Sequence, residues 1–380
     1  MLLHICDDEK FIDFAISQFE EVAPGKNKFL VLIDSYRHSF TYIKQTDKVV
    51  PFVLQENTLN YSQVKAVIIH YLTEEKCKII NSIPAHIPVV WLFWGQDAQK
   101  SFTDINYKPK TNALVRRLFG WQESTLMYTN WARRLVLPYK ERGKALRRIN
   151  YCAPVISNEL DLMNRKLGLS LKELAFTYGY LEAIIPDSLT NLRINGKNIL
   201  VGNSSSAACN HIESFDLIKR SNDWQDRKVI VPLSYGNKRY RNEIVRIGKD
   251  YFGENFVPII DFMPLEKYNA YLSSCSVSIM NHNRQQALGN IIILLWLGAR
   301  VYMDTVNPLF QYLVNKGLAV ESVQSVMEQG VGFSFEEALS VDDVGKNRLI
   351  LQKLFKREVV LNNTKHIADK FLNSQNTFVL

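Results

Sequence analysis

Short apolar runs alternate with amphipathic stretches through the first quarter of the chain. Five of these runs have the length of buried strands, at residues 2–6, 29–33, 49–53, 64–69 and 87–93. After the first run, apolar residues recur at helical spacing until Pro24-Gly25 ends the pattern. Continuous apolar strands separated by helices are typical of a parallel sheet covered on both faces. Helical patterns then dominate residues 111–176.

A second alternation of strands and helices follows a segment rich in turn formers. Its strands are predicted at residues 198–201, 229–231, 256–259, 277–280 and 300–303. The pattern predicts an N-terminal α/β domain over 1–185, a linker over 186–197, a second α/β domain over 198–343 and closing helices over 344–380. Ligands of such units bind in the crevice at the carboxyl ends of the strands.

Length and composition agree with two globular domains. The chain has 380 residues, of which 47% are apolar and 22% charged, so it can bury large cores. Its five cysteines are scattered without a CxxC pair, which argues against a disulfide framework or a zinc ribbon and indicates a reducing compartment. Acidic residues near the N-terminus argue against a signal peptide, and the most apolar stretch, 291–299, is too short to cross a membrane.

Basic residues are concentrated in one segment. The chain carries 46 Lys and Arg against 38 Asp and Glu, and residues 108–148 hold eleven basic residues against two acids. These alternate with aromatic and apolar residues, a composition that suits an anionic membrane surface or a solvated helix face, and less well a nucleic acid. No helix-turn-helix, zinc-finger or RNP pattern supports nucleic acid. The candidate membrane contacts are Arg116, Arg117, Trp121, Trp131, Arg133 and Arg134.

Two turns have the composition of phosphate sites. Residues 202–206, Gly-Asn-Ser-Ser-Ser, follow a predicted strand and precede a predicted helix. Backbone N–H groups at such a helix start can converge on an anion, although the same turn also suits a plain helix cap. The second turn, residues 281–290, follows the predicted strand at 277–280. In it Gly289 allows close backbone approach, Asn290 is the expected helix cap and Arg284 offers a fork of donors. Two such turns in one domain suggest a nucleoside diphosphate. Because GxGxxG and P-loop patterns are absent, nicotinamide and flavin cofactors are not expected.

The negative charge of a bound diphosphate must be opposed by protein groups, because the sequence shows no obvious metal site. The chain has no Asp-x-Asp pair, and its seven histidines do not cluster at ligand spacing. We therefore expect no metal cofactor, with Arg284, His211 and helix dipoles opposing the phosphate charge.

Two residues of the N-terminal domain are candidate general bases. Asp97 follows the strand at 87–93 and should stand at its carboxyl end, where a carboxylate could take a proton from a hydroxyl. An Asp that caps the next helix is the alternative. His4, near the end of the first strand, is a second candidate, although a histidine at this position is also compatible with the core.

Four motifs resemble glycosyltransferase family 56, the bacterial TDP-N-acetylfucosamine:lipid II N-acetylfucosaminyltransferases. The first is Trp91-x-x-Trp94-Gly95-x-Asp97, and the second is Leu200-Val201-Gly202-Asn203-Ser204 with His211-Ile212. The third is Val229-Ile230-Val231-Pro232 with Tyr235. The fourth is Arg284-Gln285-Gln286-x-x-Gly289, followed by Asn307-Pro308 and Gln311.

The resemblance implies a metal-independent hexosyltransferase of the α/β GT-B class, with two Rossmann-like domains facing across a crevice. It implies that the second domain binds a TDP-sugar through Gly202, Asn203, Ser204, Ser205, His211, Pro232, Tyr235, Arg284, Gln285, Gln286, Gly289 and Asn290. The first domain would take a polyprenyl-diphosphate-linked saccharide during surface polysaccharide assembly, with the protein peripheral on the cytoplasmic face of the bacterial inner membrane. A nucleotide-sugar 2-epimerase, a transferase with another nucleotide sugar and a non-catalytic polyanion-binding module are the alternatives.

Overall fold

The computed structural model describes residues 1–35, 39–95, 97, 107–120 and 137–373. Contacts divide the chain into two compact units. The first comprises Met1–Thr103, Asn130–Leu181 and Leu354–Leu380, and the second comprises Asp104–Thr129 and Glu182–Lys353.

A seven-stranded parallel sheet forms the centre of the first unit. Its strand order is β3-β2-β1-β4-β5-β6-β7, so the order reverses between β1 and β4. The strands are β1 Leu2–Cys6, β2 Asn27–Leu32, β3 Val49–Phe52, β4 Ala66–His70, β5 Val89–Leu92, β6 Tyr151–Ala153 and β7 Lys172–Glu173.

Helices cover both faces of this sheet, and this explains why its central strands are apolar along their whole length. Phe19 and Phe371 belong to the core on one face, and Ile80 and Leu146 to the core on the other. The helices of this unit are α1 Ile12–Val22, α2 Glu74–Ser82, α4 Leu137–Arg148, α5 Asn158–Leu167 and α15 Arg357–Leu372, with a short 3-10 turn at Thr46–Lys48.

The second unit contains a six-stranded parallel sheet in the order β10-β9-β8-β11-β12-β13. Here the order reverses between β8 and β11. The strands are β8 Asn198–Val201, β9 Val229–Pro232, β10 Phe256–Ile259, β11 Cys275–Met280, β12 Arg300–Met303 and β13 Glu321–Ser322.

The helices of the second unit include one from the basic segment. They are α3 Pro109–Phe119, α7 Asp187–Thr190, α8 His211–Lys219, α9 Lys238–Phe252, α10 Leu265–Ser273, α11 Leu288–Leu297, α12 Pro308–Asn315, α13 Val323–Glu328 and α14 Val341–Phe355. The short helix α6 Leu181–Ile184 lies where the chain passes from the first unit to the second. Three-residue 3-10 turns lie at Ala207–Cys209, Trp224–Asp226 and Gly253–Asn255.

Two segments pack outside the domain that their place in the sequence suggests. Helix α3 buries Leu114 and Val115 in the core of the second unit, because its apolar face matches that of α8. Helix α15 returns to the first unit and packs on α1. The ten predicted strands are all present, whereas β6, β7 and β13 were not expected, since strands of two or three residues carry no periodicity.

Candidate functional site

The candidate ligand site of the second unit lies at the carboxyl edge of its sheet, between β8 and β11. At such a reversal of strand order the two following loops diverge and leave a crevice. Gly202 begins the loop after β8, and Asn281 begins the loop after β11. The sequence therefore placed both phosphate-suited turns on the edge where the topology favours ligand binding.

Gly202 makes the first of these loops possible. Its φ is +63°, and a Cβ built on it would lie 3.0 Å from the Cβ of Cys209 and 3.3 Å from Nε2 of His211. Only glycine avoids both the strained φ and these contacts. The backbone after β8 consequently passes directly beside the imidazole of His211.

Asn203 connects three loops at this edge. Its Nδ2 donates to the hydroxyl of Tyr235 at 2.7 Å, and its Oδ1 accepts from Nε2 of Gln286 at 2.7 Å. The side-chain amide is thus fixed by the loops after β9 and β11. Half of the Tyr235 residue remains exposed, at 53%, so its ring is accessible to a ligand.

Other predicted donor contacts support the loops from within. The Ser205 hydroxyl and backbone N–H both donate to the carbonyl of Tyr235, at 2.7 and 2.8 Å. Ser204 is buried beside Cys209, and Pro232 is a buried residue of β9. These three residues hold the site together, whereas Tyr235 is exposed to solvent.

His211 is the residue whose predicted role changes most. It is fully buried, and its Nδ1 lies 3.1 Å from the hydroxyl of Tyr240. Burial lowers the pKa of His211 to about 3, so the ring is neutral near pH 7 and does not supply the positive charge expected of it. A neutral imidazole can still exchange a hydrogen bond.

Several buried polar atoms at this edge form no hydrogen bond within the described residues. They are Nε2 of His211, both ring nitrogens of His282, Oδ1 of Asn281 and Oε1 of Gln286. Burial, followed by the nearby charge of Arg284, also lowers the pKa of His282 to about 3. Buried polar groups are normally paired, so such a cluster is typical of a site for a polar ligand. His282 lies within the second turn but is not among the site residues predicted from the sequence.

The start of α11 has no side-chain cap within the described part of the chain. Ala287 precedes the helix with φ +64° and provides no side-chain cap, and space is open within 4 Å of a Cβ placed on Gly289. Asn290 was expected to cap this helix, but it is the third helical residue and donates to the hydroxyl of Tyr268. Arg284 is partly buried in the preceding loop, and Gln285 is buried.

A polar connection missed by the sequence analysis borders the same edge. Nδ2 of Asn210 donates to the carbonyl of Asn281 at 2.7 Å, and its Oδ1 accepts from the backbone N–H of Lys108 at 2.8 Å. The ammonium of Lys108 forms an ion pair with the buried carboxylate of Asp304. No local pattern links residues so far apart in sequence.

The predicted membrane contacts divide into two groups. Arg116 and Arg117 occupy the last turn of α3, where Arg117 forms an ion pair with Glu243. Trp121, Trp131, Arg133 and Arg134 lie outside the described residues. Within the described ranges, every helix is too short or too polar to cross a bilayer.

In the first unit, Asp97 does not have the surroundings of a general base. It is 3% exposed, its Oδ2 accepts from Trp91 Nε1 at 2.7 Å and from the backbone N–H of Leu72 at 3.0 Å, and its Oδ1 accepts from the N–H of Trp94 at 3.1 Å. Burial raises the pKa of this carboxyl, and these bonds oppose the rise. The structure corrects the expected exposure of Asp97 at the strand end, because the buried carboxylate connects the loop after β4 to β5. Its role as a general base stays a prediction.

His4 is likewise enclosed in the interior of β1. Its Nδ1 lies 3.0 Å from Nε2 of His70, its Nε2 lies 3.4 Å from Oδ1 of Asn27, and its ring stacks on Phe29. Burial lowers the pKa of His4 to about 3. The expected position at the strand end is wrong, because His4 is the buried middle residue of β1. Its role as a base stays a prediction.

The carboxyl edge between β1 and β4 carries other polar and aromatic groups. Buried Lys76 donates to Asp7 at 2.6 Å and to two backbone carbonyls. The ring of Trp94 contacts those of Tyr178 and Tyr71 edge to face. Among the described residues no three His, Cys, Asp or Glu side chains are grouped closely enough to hold a metal ion.

Comparison with known proteins gives both a family and a fold. A family model described as 4-alpha-L-fucosyltransferase, glycosyl transferase group 56, matches residues 134–344, more than half of the chain. A sucrose-phosphate synthase from Thermosynechococcus elongatus superposes with a TM-score of 0.61 at 11% identity, covering 99% of this chain and 100% of that one.

Two further solved structures agree. A glycosyltransferase from Rickettsia africae has a TM-score of 0.57 at 9% identity, with coverage of 98% and 99%. The alpha,alpha-trehalose 6-phosphate synthase of Burkholderia multivorans also scores 0.57 at 9% identity, with 98% of each chain covered. At these identities the likeness shows the fold alone, which is the GT-B arrangement of two Rossmann-like domains.

Proposed function

The chain belongs to glycosyltransferase group 56, and on that premise we propose that it transfers an acetamido-dideoxyhexose of the N-acetylfucosamine type from a TDP-sugar. The acceptor in this proposal is a polyprenyl-diphosphate-linked glycan used in surface polysaccharide assembly, of the enterobacterial-common-antigen or capsular kind. The protein would act at the cytoplasmic face of the inner membrane. Membership of a transferase family favours this reaction over the nucleotide-sugar epimerase considered from the sequence.

The observation that carries the proposal is the group of buried, unpaired polar atoms between β8 and β11. His211, His282 and Gln286 each have an atom there without a hydrogen-bond partner in the described residues. A nucleoside diphosphate has many hydrogen-bonding oxygen atoms, so it can satisfy these groups. The exposed ring of Tyr235 supports stacking of the base at the same edge.

The departing diphosphate gains negative charge as the bond from the sugar C1 to oxygen breaks. Backbone N–H groups at the open start of α11 and the guanidinium of Arg284 are the donors that we assign to this charge. Because His211 and His282 are neutral, they contribute hydrogen bonds without charge. In this proposal these donors oppose the charge of the diphosphate without a metal ion.

Binding and transfer test the proposal in sequence. Calorimetric titration with TDP, UDP, GDP, CDP and ADP, with and without EDTA, should give selective binding of TDP that EDTA does not change. Transfer from TDP-N-acetylfucosamine to a synthetic short-chain polyprenyl-diphosphate disaccharide should then release TDP. Selective binding of another nucleotide would overturn the donor, and transfer that requires an added metal would overturn metal independence.

Arg284 offers a matched test within this assay. Arg284→Ala should weaken TDP binding by about 10- to 150-fold, because a hydrogen bond to a charged group contributes about 1.5–3 kcal/mol. Arg246→Ala removes an exposed arginine of α9 that pairs with Glu243 and Asp250, and it should leave the affinity unchanged. Equal affinities of the two variants would exclude Arg284 from the diphosphate site.

A further inference from the structure

The outward face of α4 carries a row of cations. Lys140, Lys144 and Arg147 follow the spacing i, i+4 and i+7, and all three are exposed. Residues at this spacing lie on one face of a helix. None of the three forms an ion pair within the part of the chain that the structure describes. The positive charge of this face is therefore uncompensated.

The opposite face of α4 fixes the helix to the first unit. Ala145 and Leu146 are buried in the core beside α2, and Arg142 is 3% exposed. The Arg142 guanidinium donates to the carbonyl of Asp97 and lies 3.5 Å from the carboxylate of Glu74. Because this face is locked, the cationic face has a constant direction.

A cavity of about 570 Å³ continues this charged face at the amino edge of the sheet. Arg147, His86 and Lys172 line it together with residues 168–171, and no acidic residue is among its lining residues in the described chain. The next residue, Glu173, belongs to the same strand, and its side chain points to the opposite face of the sheet from that of Lys172. The row of cations on α4 and the adjoining cavity thus form one continuous basic surface.

The other described helix of the basic segment is different. In α3, Arg117 pairs with Glu243 and Lys110 pairs with Asp216 at 2.7 Å. Acids of α8 and α9 thus compensate two of its cations. The described part of the basic segment therefore concentrates its uncompensated charge on α4.

We propose that the outward face of α4 and the adjoining cavity form a docking surface for an anionic phospholipid bilayer, on which the first unit rests through lipid head groups. Charge complementarity carries this assignment, since the surface is basic, fixed and outward-facing. The inference rests on the proposed function only in that a lipid-linked acceptor requires a membrane. It adds α4 to the membrane contacts predicted from the sequence, of which only Arg116 and Arg117 lie within the described residues.

Vesicle flotation tests the surface directly. The full-length protein should float with phosphatidylcholine vesicles that contain 30% phosphatidylglycerol and remain unbound with pure phosphatidylcholine. The triple variant Lys140→Gln, Lys144→Gln, Arg147→Gln should bind about a hundredfold more weakly, because each surface cation contributes about fivefold. The control Lys249→Gln, Lys346→Gln, Lys353→Gln removes the same charge from exposed positions of the second unit.

Each result bears on the assignment. Binding that is retained by the control and lost by the α4 variant supports the surface. If vesicle binding is weakened equally in both variants, net charge and not the α4 surface determines binding, and the assignment is overturned. If millimolar inorganic phosphate at constant ionic strength displaces the wild type from the vesicles, the surface is a free-anion site, which also overturns the assignment. Absence of wild-type binding to either vesicle would also overturn it.

The same variants separate this inference from the transferase proposal. All of the substituted side chains are exposed, so thermal unfolding should confirm that both triple variants remain folded. TDP affinity and transfer to a water-soluble acceptor should be equal in wild type and variants. If the wild type does not bind TDP but floats with the anionic vesicles, the TDP-sugar donor is excluded and the membrane surface is supported.

Discussion

Gly289→Ala separates ligand binding from folding stability at the start of α11. The residue is exposed, it is the second helical position, and no atom lies within 4 Å of a Cβ placed on it. The folded protein can therefore accept the methyl group without repacking. A phosphate held by the first-turn N–H groups, in contrast, would meet that methyl group directly.

The two effects have opposite signs. Alanine is up to about 1 kcal/mol more favourable than glycine inside a helix, and less at its first turn, so the melting temperature should stay constant or rise by up to about 4 °C. Losing one hydrogen bond to the phosphate costs about 1.5–3 kcal/mol, which corresponds to a roughly 10- to 150-fold weaker affinity for TDP. Stability would be maintained while binding falls.

Gly345→Ala is the matched control. Gly345 is an exposed residue of α14, and space around its Cβ position is also open. This variant should show the same or a larger gain in melting temperature with unchanged TDP affinity. Calorimetric titration and differential scanning calorimetry on the three proteins give both quantities. If Gly289→Ala binds TDP as tightly as wild type, the diphosphate does not lie at the start of α11.

Three further predictions follow from burial and hydrogen bonding. Asp97→Asn should lower the unfolding free energy by about 1–3 kcal/mol, because an amide N–H replaces one hydrogen-bond acceptor. The rate of sugar transfer should stay within a few fold of the wild type. A hundredfold loss of transfer rate at unchanged stability would instead support the general-base role. Tyr235→Ala should weaken TDP binding about tenfold or more through loss of stacking, whereas Tyr42→Ala, which is similarly exposed, should not. The pKa values of His4, His211 and His282 are lowered to about 3 from 6.5, so the stability that their neutral forms contribute is complete above pH 6.5 and is lost as pH falls toward 3. The pKa of buried His70 is also lowered, by burial and by neighbouring His4 and Lys76. The urea midpoint should therefore fall over this range, with uptake of about four protons on unfolding at pH 5, and a midpoint constant from pH 7 to 4 would contradict the buried neutral histidines.

Tertiary packing explains why some sequence-based roles changed. The chemistry of Asp97 and His4 suits a base, but their partners Leu72 and His70 come from another strand and its following loop, and only folding brings them close enough to enclose both residues. The same applies to His211, whose burial depends on Tyr240 and the turn at Gly202. Charge state follows from these neighbours and not from residue type alone.

The amino-acid sequence by itself determined the two parallel sheets with their covering helices, the position of the candidate ligand loops after β8 and β11, and the family. Buried parallel strands must be apolar throughout, and the turns that follow β8 and β11 need particular small and polar residues such as Gly202, so local pattern carries that information. Only the tertiary structure decided that α3 packs in the second unit, that α15 returns to the first and that Lys140, Lys144 and Arg147 of α4 form no ion pair among the described residues. Those outcomes depend on which surfaces meet between segments far apart in sequence, and no local periodicity encodes such contacts.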